Sequence, residues 1–309
     1  MLQKTEAVKK GNKMTIGIIA NSTKEKIFDV VSLLVKKLKA GGLDFLVTDS
    51  IITSRESLSE KINKKYFLPD KNIYKRSDII ISVGGDGTML ATAYEAQFYD
   101  KPVLGVNVGK LGFLAEANLD QFDTFIDDLK NNRIRIEERM IICGECEGHK
   151  VETLYAINDI VIDKGGWPKM IELTVKVDGE YVTTFGADGI IIATPTGSTG
   201  YSISVGGPIV SPLADVITLS PISAHSLSVR PLVLPSTQEI LIKATSQHKE
   251  VLVNCDGQRV FALPPPFEIK LTKSERALKL AHTSITSYFE TLRNKLMWGI
   301  DLRNSNTNK

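Results

Sequence analysis

The first third of the chain alternates between short apolar runs and segments with helical spacing. Apolar runs occur at TIGIIA (Thr15–Ala20), DIIISV (Asp78–Val83) and PVLGVN (Pro102–Asn107), with LDFLVTD as a further example. Between them, SLLVKKLKAGG has the pattern of an amphipathic helix that ends on glycines. Continuous apolar strands separated by helices indicate a parallel sheet that is covered on both faces. The pattern predicts a doubly wound, Rossmann-like α/β domain over residues 1–139.

After Arg139 the pattern changes to alternation with a period of two. In IELTVKVDGEYVTTF the dipeptide Asp178-Gly179 is a hairpin turn signal, and further β-like segments continue as far as VLVNCDGQRVFAL. A second, β-rich domain is therefore predicted over residues 140–279. Near the end, ITSYFETLRNKLMWGI returns to helical spacing with Phe289, Leu292 and Leu296 on one face. We expect residues 280–309 to pack back on the first domain.

Composition narrows the class of protein. A chain of 309 residues suits two domains, and 42% hydrophobic with 24% charged residues is typical of a soluble globular protein. A net charge of +2 provides no electrostatic case for a nucleic-acid partner. The longest apolar runs fall far short of the ~18 residues of a membrane span, and the early run MTIGIIA is too short to suggest a signal peptide. We expect a cytoplasmic protein without a membrane partner.

The three cysteines do not suggest a disulfide scaffold, but two of them raise a metal or redox alternative. Cys143 and Cys146 form CGEC, and His149 follows. In a strand, an offset of three places the two thiols on opposite faces, and no second ligand pair is near in sequence. Strand cysteines are the favoured interpretation. His225, in SAHSLSVRPL, is similarly interpreted as a packing or hydrogen-bonding residue rather than a base.

The stretch VGGDGTML (Val83–Leu90) places one carboxylate among glycines directly after an apolar strand, before a helix predicted to begin near Thr88. Glycine amides and a helix N-terminus favour phosphate binding, although the stretch lacks the GKS or GKT ending of a Walker loop and does not match GxGxxG. Phosphates would repel Asp86 unless it accepts a proton from a hydroxyl nucleophile or holds a metal ion. Either role indicates phosphoryl transfer. The alternative is a tight turn with Asp86 as the helix N-cap.

Two further motifs favour a nucleotide ligand. ADGIIIATPTGSTGYSISVGGPIV (Ala187–Val210) is rich in hydroxyls that suit sugar or phosphate oxygens, and Tyr201 could stack on a purine or ribose. AINDIVIDKGG sets Asn158 and Asp159 side by side, where Asn can bind an adenine edge and Asp can accept both ribose hydroxyls. The alternatives are a turn-rich β-connection with Tyr201 in the core, and an Asx turn at the start of a strand.

Together these motifs resemble the NAD kinase family over nearly the whole chain. The matching segments, in order, are VGGDGTML, NVGKLGFLAE, AINDIVI, DGIIIATPTGSTGYSISVGGPIV, SVRPLVL, CDGQ and YFETLRNKL. GGDGT alone is shared with diacylglycerol and sphingosine kinases. The TPTGSTGYS block and the Asn-Asp pair are more specific to NAD kinases.

The resemblance implies transfer of a phosphoryl group from ATP or another donor to the 2′-hydroxyl of the adenosine ribose of NAD, with a divalent metal such as Mg²⁺. Asp86 matches the family's proton acceptor, and the donor phosphates would lie against Gly84, Gly85, Gly87 and Thr88. No side-chain metal ligand is assigned. The positions that match NAD contacts in the family are Asp86, Gly87, Asn158, Asp159, Lys169, Asp188, Thr199, Gly200, Tyr201, Ser202, Ser204 and Gln258. The resemblance also implies a β-sandwich second domain and a homo-oligomer, a dimer or tetramer, in which a neighbouring subunit lends residues to the nicotinamide pocket.

Two departures from the family pattern bear on the substrate. The chain has STGYS where many bacterial members have STAYS, and it has Gly186 where members restricted to NAD often carry arginine. The second departure resembles members that also accept NADH. Two rival functions remain open: a lipid kinase of the same fold, which would need an apolar substrate cavity, and an NAD-sensing protein that binds without turnover.

Overall fold

The computed structural model describes residues 14–23, 25–54, 62–108, 112–114, 121–149, 151–284 and 288–298. Their contacts divide the chain into two units. The first contains the described residues up to Glu137 together with those from Lys279 on, and the second runs from Glu138 to Leu278. The division therefore falls one or two residues before the boundaries expected at 139/140 and 279/280.

The first unit is built on a parallel sheet. Its strands are β1 (Thr15–Ala20), β2 (Asp44–Thr48), β3 (Phe67–Leu68), β4 (Ile79–Gly84) and β5 (Val103–Asn107). They lie in the order β5-β4-β1-β2-β3, and every neighbouring pair is parallel. Chain order reverses between β1 and β4, and ligands bind beyond the carboxyl ends of parallel strands at such a switch point. The doubly wound prediction is confirmed.

Helices accompany this sheet. They are α1 (Lys26–Ala40), α2 (Ser50–Ser54), α3 (Asp70–Arg76), α4 (Asp86–Ala96) and α5 (Phe122–Lys130), with 3₁₀ turns at Lys64–Tyr66 and Gln97–Tyr99. The apolar face of α1 and residues of α5 pack with the strands in one buried cluster that includes Ile16, Leu34 and Phe125. Burial on both faces explains why the strands have no alternation.

The second unit contains two antiparallel sheets. Its strands are β6 (Arg135–Glu145), which starts in the first unit, β7 (Leu154–Ala156), β8 (Asp159–Asp163), β9 (Ile171–Val177), β10 (Glu180–Ala187), β11 (Gly189–Ala193), β12 (Val216–Ile222), β13 (Leu232–Pro235), β14 (Ile240–Thr245), β15 (Val251–Cys255), β16 (Arg259–Leu263) and β17 (Phe267–His282), whose end belongs to the first unit. One sheet has the order β10-β9-β14-β17, and the other has β13-β12-β11-β8-β15-β16. Side chains of both, such as Ile162 and Val175, share one buried core, so this unit is a β-sandwich.

The β9–β10 hairpin turns at Asp178 and Gly179, as predicted. Both residues have positive φ, 51° and 81°, as a type I′ turn requires. The Asp178 carboxylate also accepts the backbone N–H of Glu239 at 2.9 Å. The turn thereby joins the hairpin to the segment that enters β14.

The last helix among the described residues belongs to the first unit. The helix Tyr288–Leu296 buries Leu292 and half-buries Leu296, whereas Phe289 is 62% exposed and does not belong to the buried face. Residues 299–309 lie outside the described part of the chain. Within the described ranges, no helix has the length and apolar character needed to cross a membrane.

Candidate functional site

Asp86 lies at the first position of helix α4. Strand β4 ends at Gly84, and Gly85 forms the N-cap in an extended conformation, so the helix begins two residues before Thr88. The N-cap alternative for Asp86 is therefore wrong. A carboxylate in the first turn is stabilised by the positive end of the helix dipole. The same position at the switch point of the sheet is suited to phosphate groups.

Backbone amides from a distant segment hold the Asp86 carboxylate. Phe113 N–H donates to Oδ2 at 3.1 Å, and Leu114 N–H donates to Oδ1 at 3.3 Å. Gly112 makes this approach possible, because a Cβ at that position would lie 1.7 Å from Oδ1. These three residues belong to NVGKLGFLAE, of which residues 109–111 and 115–116 lie outside the described part of the chain. Sequence reasoning matched this segment to a family but did not connect it with Asp86.

The rest of the glycine stretch forms the start of the helix. Gly87 is exposed and Thr88 is half-buried, with its Oγ1 accepting Asn21 Nδ2 at 3.5 Å. Thr92 Oγ1 donates to the Thr88 carbonyl at 2.9 Å and pairs with Ser82 Oγ at 2.9 Å. These hydroxyls tie the first turn of α4 to β4. The turn is therefore a rigid platform beside a carboxylate.

The described side chains could bind a magnesium ion only together with phosphate oxygens of a bound substrate. Across the described residues, no group of three or more His, Cys, Asp or Glu side chains could hold a metal. Asp86 is the carboxylate of the glycine turn at the start of α4. Mg²⁺ is commonly held by one or two carboxylates together with substrate phosphates, and this arrangement fits the residues present.

The CGEC cysteines lie apart from that chemistry. Cys143 is within β6, and its Sγ lies 3.3 Å from Thr272 Oγ1. Cys146 is buried, and burial raises the pKa of its thiol to about 11. The His149 ring meets Phe267 edge-on with ring centroids 6.1 Å apart. Cys143 is a strand cysteine as interpreted, whereas Cys146 follows the last residue of β6 and is not in a strand. Its buried, protonated thiol is a packing group.

In the second unit, Asn158 and Asp159 follow a bend between β7 and β8, where a buried carboxylate caps the backbone. Asp256 accepts the N–H groups of Ile157 at 3.1 Å, Asn158 at 2.7 Å and Asp159 at 3.2 Å. Arg259 Nη2 lies 3.2 Å from the same carboxylate and donates to a backbone carbonyl of β7 at 2.7 Å. Asp256 was not predicted as a site residue.

The carbonyl side of the same segment contacts the TPTGSTG turn. Thr194 N–H donates to the Asn158 carbonyl at 2.9 Å, and Thr194 Oγ1 donates to the Ile157 carbonyl at 2.6 Å. A Cβ on Gly197 would lie 2.0 Å from the Asn158 carbonyl oxygen, so only glycine allows this packing. A Cβ on Gly200 would lie 3.7 Å from Asn158 Nδ2 and 3.9 Å from an Asp159 carboxylate oxygen. The structure thus brings together the Asn-Asp pair and the STGYS segment.

Asp159 has an unusual electrostatic environment. It is 5% exposed, and burial together with the charge of Asp256 raises its pKa to about 7. Within the described residues, no hydrogen-bond donor contacts its carboxylate. At neutral pH the group lies near its titration midpoint and can accept donors from a ligand.

The hydroxyl-rich segment is mostly internally bonded. It forms a 3₁₀ turn (Gly197–Thr199) and a short helix α6 (Tyr201–Ser204). Its bonded hydroxyls are Ser198 to Pro195 O, Thr199 to Thr196 O, Ser202 to Ser220 Oγ and Ser204 to Tyr201 O. Ser202 is fully buried, whereas Tyr201 is 48% exposed, so the alternative that places Tyr201 in the core is wrong. An exposed aromatic ring can stack on a ligand.

Asp188 and Lys169 lie in separate surroundings of the second unit, whereas Gln258 lies in the turn that also contains Asp256. Asp188 Oδ1 pairs with Lys164 Nζ at 2.7 Å, and Gln258 is exposed in the β15–β16 turn. Lys169 Nζ donates to Gln247 Oε1 at 3.3 Å. Its carbonyl lies 3.1 Å from a ring nitrogen of His248. None of these contacts joins Lys169 to the Asn-Asp pair.

The Gly186 position is open. A Cβ there would meet no atom within 4 Å. The carbonyl of Gly186 accepts the backbone N–H of His225 at 2.9 Å, and the His225 residue is exposed. A large side chain at position 186 would therefore meet no steric barrier from this chain at its first carbon.

Comparison with known proteins places this geometry in context. The family model of the ATP-NAD kinase N-terminal domain matches residues 16–134. The family model of the ATP-NAD kinase C-terminal domain matches residues 157–283. An NAD kinase of Chlorobium phaeovibrioides is 36% identical over 288 residues, which cover 93% of this chain and 99% of the relative. An NAD kinase of Geotalea daltonii is 36% identical over 286 residues, covering 92% and 98%.

Two solved structures are also similar to this chain. The crystal structure of yeast NADH kinase complexed with NADH has a TM-score of 0.85 at 26% identity, covering 96% of this chain and 91% of that one. An NAD kinase from Archaeoglobus fulgidus in complex with ATP has a TM-score of 0.71 at 25% identity, covering 92% and 99%. Each of these two matches covers more than nine-tenths of the chain and therefore includes both units.

Proposed function

The chain belongs to the NAD kinase family, and from this premise we propose that Asp86 is the base of the phosphoryl transfer that the family performs. The protein has NAD kinase activity and is a phosphotransferase. In the proposed reaction Asp86 accepts the proton of the 2′-hydroxyl of the adenosine ribose as that oxygen attacks phosphorus. A positioned base contributes roughly 10²- to 10⁴-fold to such a step.

One observation carries this proposal: the Asp86 carboxylate is fixed at the N-terminus of α4 by the amides of Phe113 and Leu114. A base must be held in one orientation to act on one hydroxyl. We assign the binding of the donor phosphates to Thr88 and to the backbone of Gly84, Gly85 and Gly87. A divalent metal such as Mg²⁺ would neutralise phosphate charge when bound, held mainly by the phosphates themselves because Asp86 is assigned as the base.

The dinucleotide contacts are assigned to the second unit. We assign Asn158 and Asp159 to the adenosine, because their backbone is fixed on both sides while their side chains lie near Gly200. Asp188 is assigned to the nicotinamide side. The remaining proposed contacts are Lys169, Thr199, Gly200, Tyr201, Ser202, Ser204 and Gln258. For Ser202, which is buried against Ser220, the contact would be made by main-chain atoms.

ATP is the proposed donor, and NADH is proposed as a second acceptor. The A. fulgidus relative binds ATP and the yeast relative binds NADH, which supports both proposals. The open position at Gly186 also supports NADH. We further propose a cytoplasmic location and a homo-oligomer, dimer or tetramer, because the family resemblance implies shared nicotinamide pockets.

The decisive experiment measures NADP formation from NAD, ATP and Mg²⁺ with the wild type and with Asp86→Asn. We expect kcat to fall by at least about a hundredfold in the variant, while the Kd for NAD changes little. Asp123→Asn, an exposed acidic residue of the same unit, serves as the matched control.

The rival functions predict different results. A wild type that binds NAD but forms no NADP with any donor would point to an NAD sensor. Phosphorylation of diacylglycerol or a sphingoid base in place of NAD would point to a lipid kinase. Unchanged kcat in Asp86→Asn would leave the kinase intact and remove the base assignment.

A further inference from the structure

A buried carboxylate lies directly beneath the proposed adenosine-binding pair. The Asp256 side chain is 1% exposed, and both of its carboxylate oxygens already accept hydrogen bonds from backbone N–H groups or from Arg259. It accepts three consecutive backbone N–H groups, those of residues 157, 158 and 159. A carboxylate with several amide donors strongly restrains the backbone that supplies them, because each unsatisfied buried donor is costly.

The restraint acts from both sides of the same peptide segment. Asp256 accepts the N–H groups. On the other side, Thr194 donates to the carbonyls of Ile157 and Asn158, and Gly197 packs against the Asn158 carbonyl. The Asp256 backbone N–H also donates to the Asp159 carbonyl at 3.0 Å. The segment 157–159 therefore has its main-chain polar groups committed, and the side chains of Asn158 and Asp159 remain as the groups available to a ligand.

We propose that Asp256, with Arg259 as its counter-charge, is the positioning residue that sets the affinity for NAD by fixing the side chains of Asn158 and Asp159. This inference rests on the adenosine-binding role proposed above for that pair. Arg259 offsets the cost of burying the Asp256 charge and anchors it to the β7 carbonyl of Tyr155. Asp256 acts through the pair and touches no reacting atom.

Asp256 also sets the charge of its neighbour. Burial raises the pKa of Asp256, although its three N–H donors and Arg259 act in the opposite direction. Burial, together with the charge of the Asp256 carboxylate, raises the pKa of Asp159 to about 7. Among the described residues, the thiols of Cys255 and Cys146 also lie nearby, and both stay neutral because burial raises their pKa values to about 12 and about 11. Because ribose hydroxyls donate to the ionised carboxylate, the affinity for NAD should rise as the pH increases through about 7.

The test compares Asp256→Asn with Asp215→Asn, a carboxylate of the same unit that accepts Ser236 Oγ and Lys273 Nζ. Kd values for NAD and for ATP are measured by calorimetry from pH 6 to pH 8, alongside kcat and the thermal midpoint. For Asp256→Asn we expect the Kd for NAD to rise about tenfold or more, since the NH2 that replaces one carboxylate oxygen cannot accept, and at least one buried backbone N–H loses its acceptor. The Kd for ATP should stay within about twofold. The pH inflection in NAD binding should move to lower pH, because the charge that raised the pKa of Asp159 is gone.

A second pair of variants covers the case in which Asp256→Asn does not fold. Arg259→Gln leaves the carboxylate without its counter-charge, whereas Arg259→Lys keeps a charge. We expect weaker NAD binding in the first and partial recovery in the second.

The outcomes separate this inference from the proposed function. An Asp256→Asn protein that binds NAD like Asp215→Asn, with the same pH inflection, overturns the positioning role while NAD kinase activity stands. Equal losses of NAD and ATP affinity overturn it as well, because they indicate general damage to the fold. A wild type that binds no NAD overturns both.

Discussion

Asp86 and Asp159 are both carboxylates at the ends of secondary-structure elements, yet their surroundings differ. The oxygens of Asp86 accept two backbone amides at the positive end of a helix. Asp159 is buried beside the Asp256 carboxylate, and its pKa is raised to about 7. The same side chain can therefore serve two purposes according to its environment. We interpret Asp86 as a fixed proton acceptor and Asp159 as a ligand-binding group whose charge depends on pH.

The two sites also differ in what a glycine allows to come close. At Gly112 the backbone approaches the Asp86 side chain itself, whereas at Gly197 it approaches the Asn158 main chain. Substitution at the first position should therefore affect the chemistry. Substitution at the second should affect binding.

The largest effect to test, after Asp86→Asn, is that of Gly112→Ala. The new methyl would lie 1.7 Å from Asp86 Oδ1, so the carboxylate must rotate or the loop must move. We expect kcat to fall about 10- to 100-fold, because small displacements of reacting groups carry costs of that order. Gly166→Ala is the matched control, since a Cβ there meets nothing within 4 Å. Equal kcat values in the two variants would show that the contact at Asp86 does not matter for turnover.

Asp159→Asn tests the other carboxylate through stability. The pKa of Asp159 is raised on folding, so its favourable contribution is complete below pH 4 and is lost as the pH rises through about 7. At pH 8 an ionised, buried carboxylate destabilises the fold, and the neutral amide avoids this cost. We expect the free energy of unfolding of Asp159→Asn at pH 8 to exceed that of the wild type by roughly 1 to 4 kcal/mol, with a smaller difference at pH 5.

The control for that measurement is Asp215→Asn, which should have the opposite sign. Lys273 and Ser236 hold the pKa of Asp215 below its usual range, so its contribution is present above about pH 4 and is lost in acid. Denaturant titrations at pH 5 and pH 8 provide both comparisons. A loss of stability at pH 8 in Asp159→Asn would contradict the assigned charge state.

The smallest expected effect concerns Gly186→Arg. A Cβ at this position meets nothing within 4 Å, so the substitution is not blocked at its first side-chain carbon. Members of the family restricted to NAD often carry arginine there, and we expect the kcat/KM for NADH to fall about 3- to 10-fold relative to that for NAD. Gly186→Ala separates the effect of the guanidinium from that of added bulk. An unchanged ratio in Gly186→Arg would show that this position does not select the redox state.

Local patterns predicted most of the elements in this chain. Continuous apolar runs marked β1, β4 and β5, and alternation with Asp178-Gly179 marked the β9–β10 hairpin. These predictions were possible because side-chain periodicity and turn chemistry are properties of neighbouring residues. The start of α4 was misplaced by two residues, because Gly85 caps the helix without any side chain that signals it.

The sequence by itself determined the family of this protein, its two-part architecture and the residue types available for phosphoryl transfer. Only the tertiary structure decided how those residues are held. Asp86 meets Phe113 across 27 positions, and Asn158 meets Asp256 across 98 positions. No periodicity connects such distant residues, because these contacts form when strands and turns from separate parts of the chain pack together. The charge of Asp159 likewise depends on burial and on a neighbour that only folding brings near.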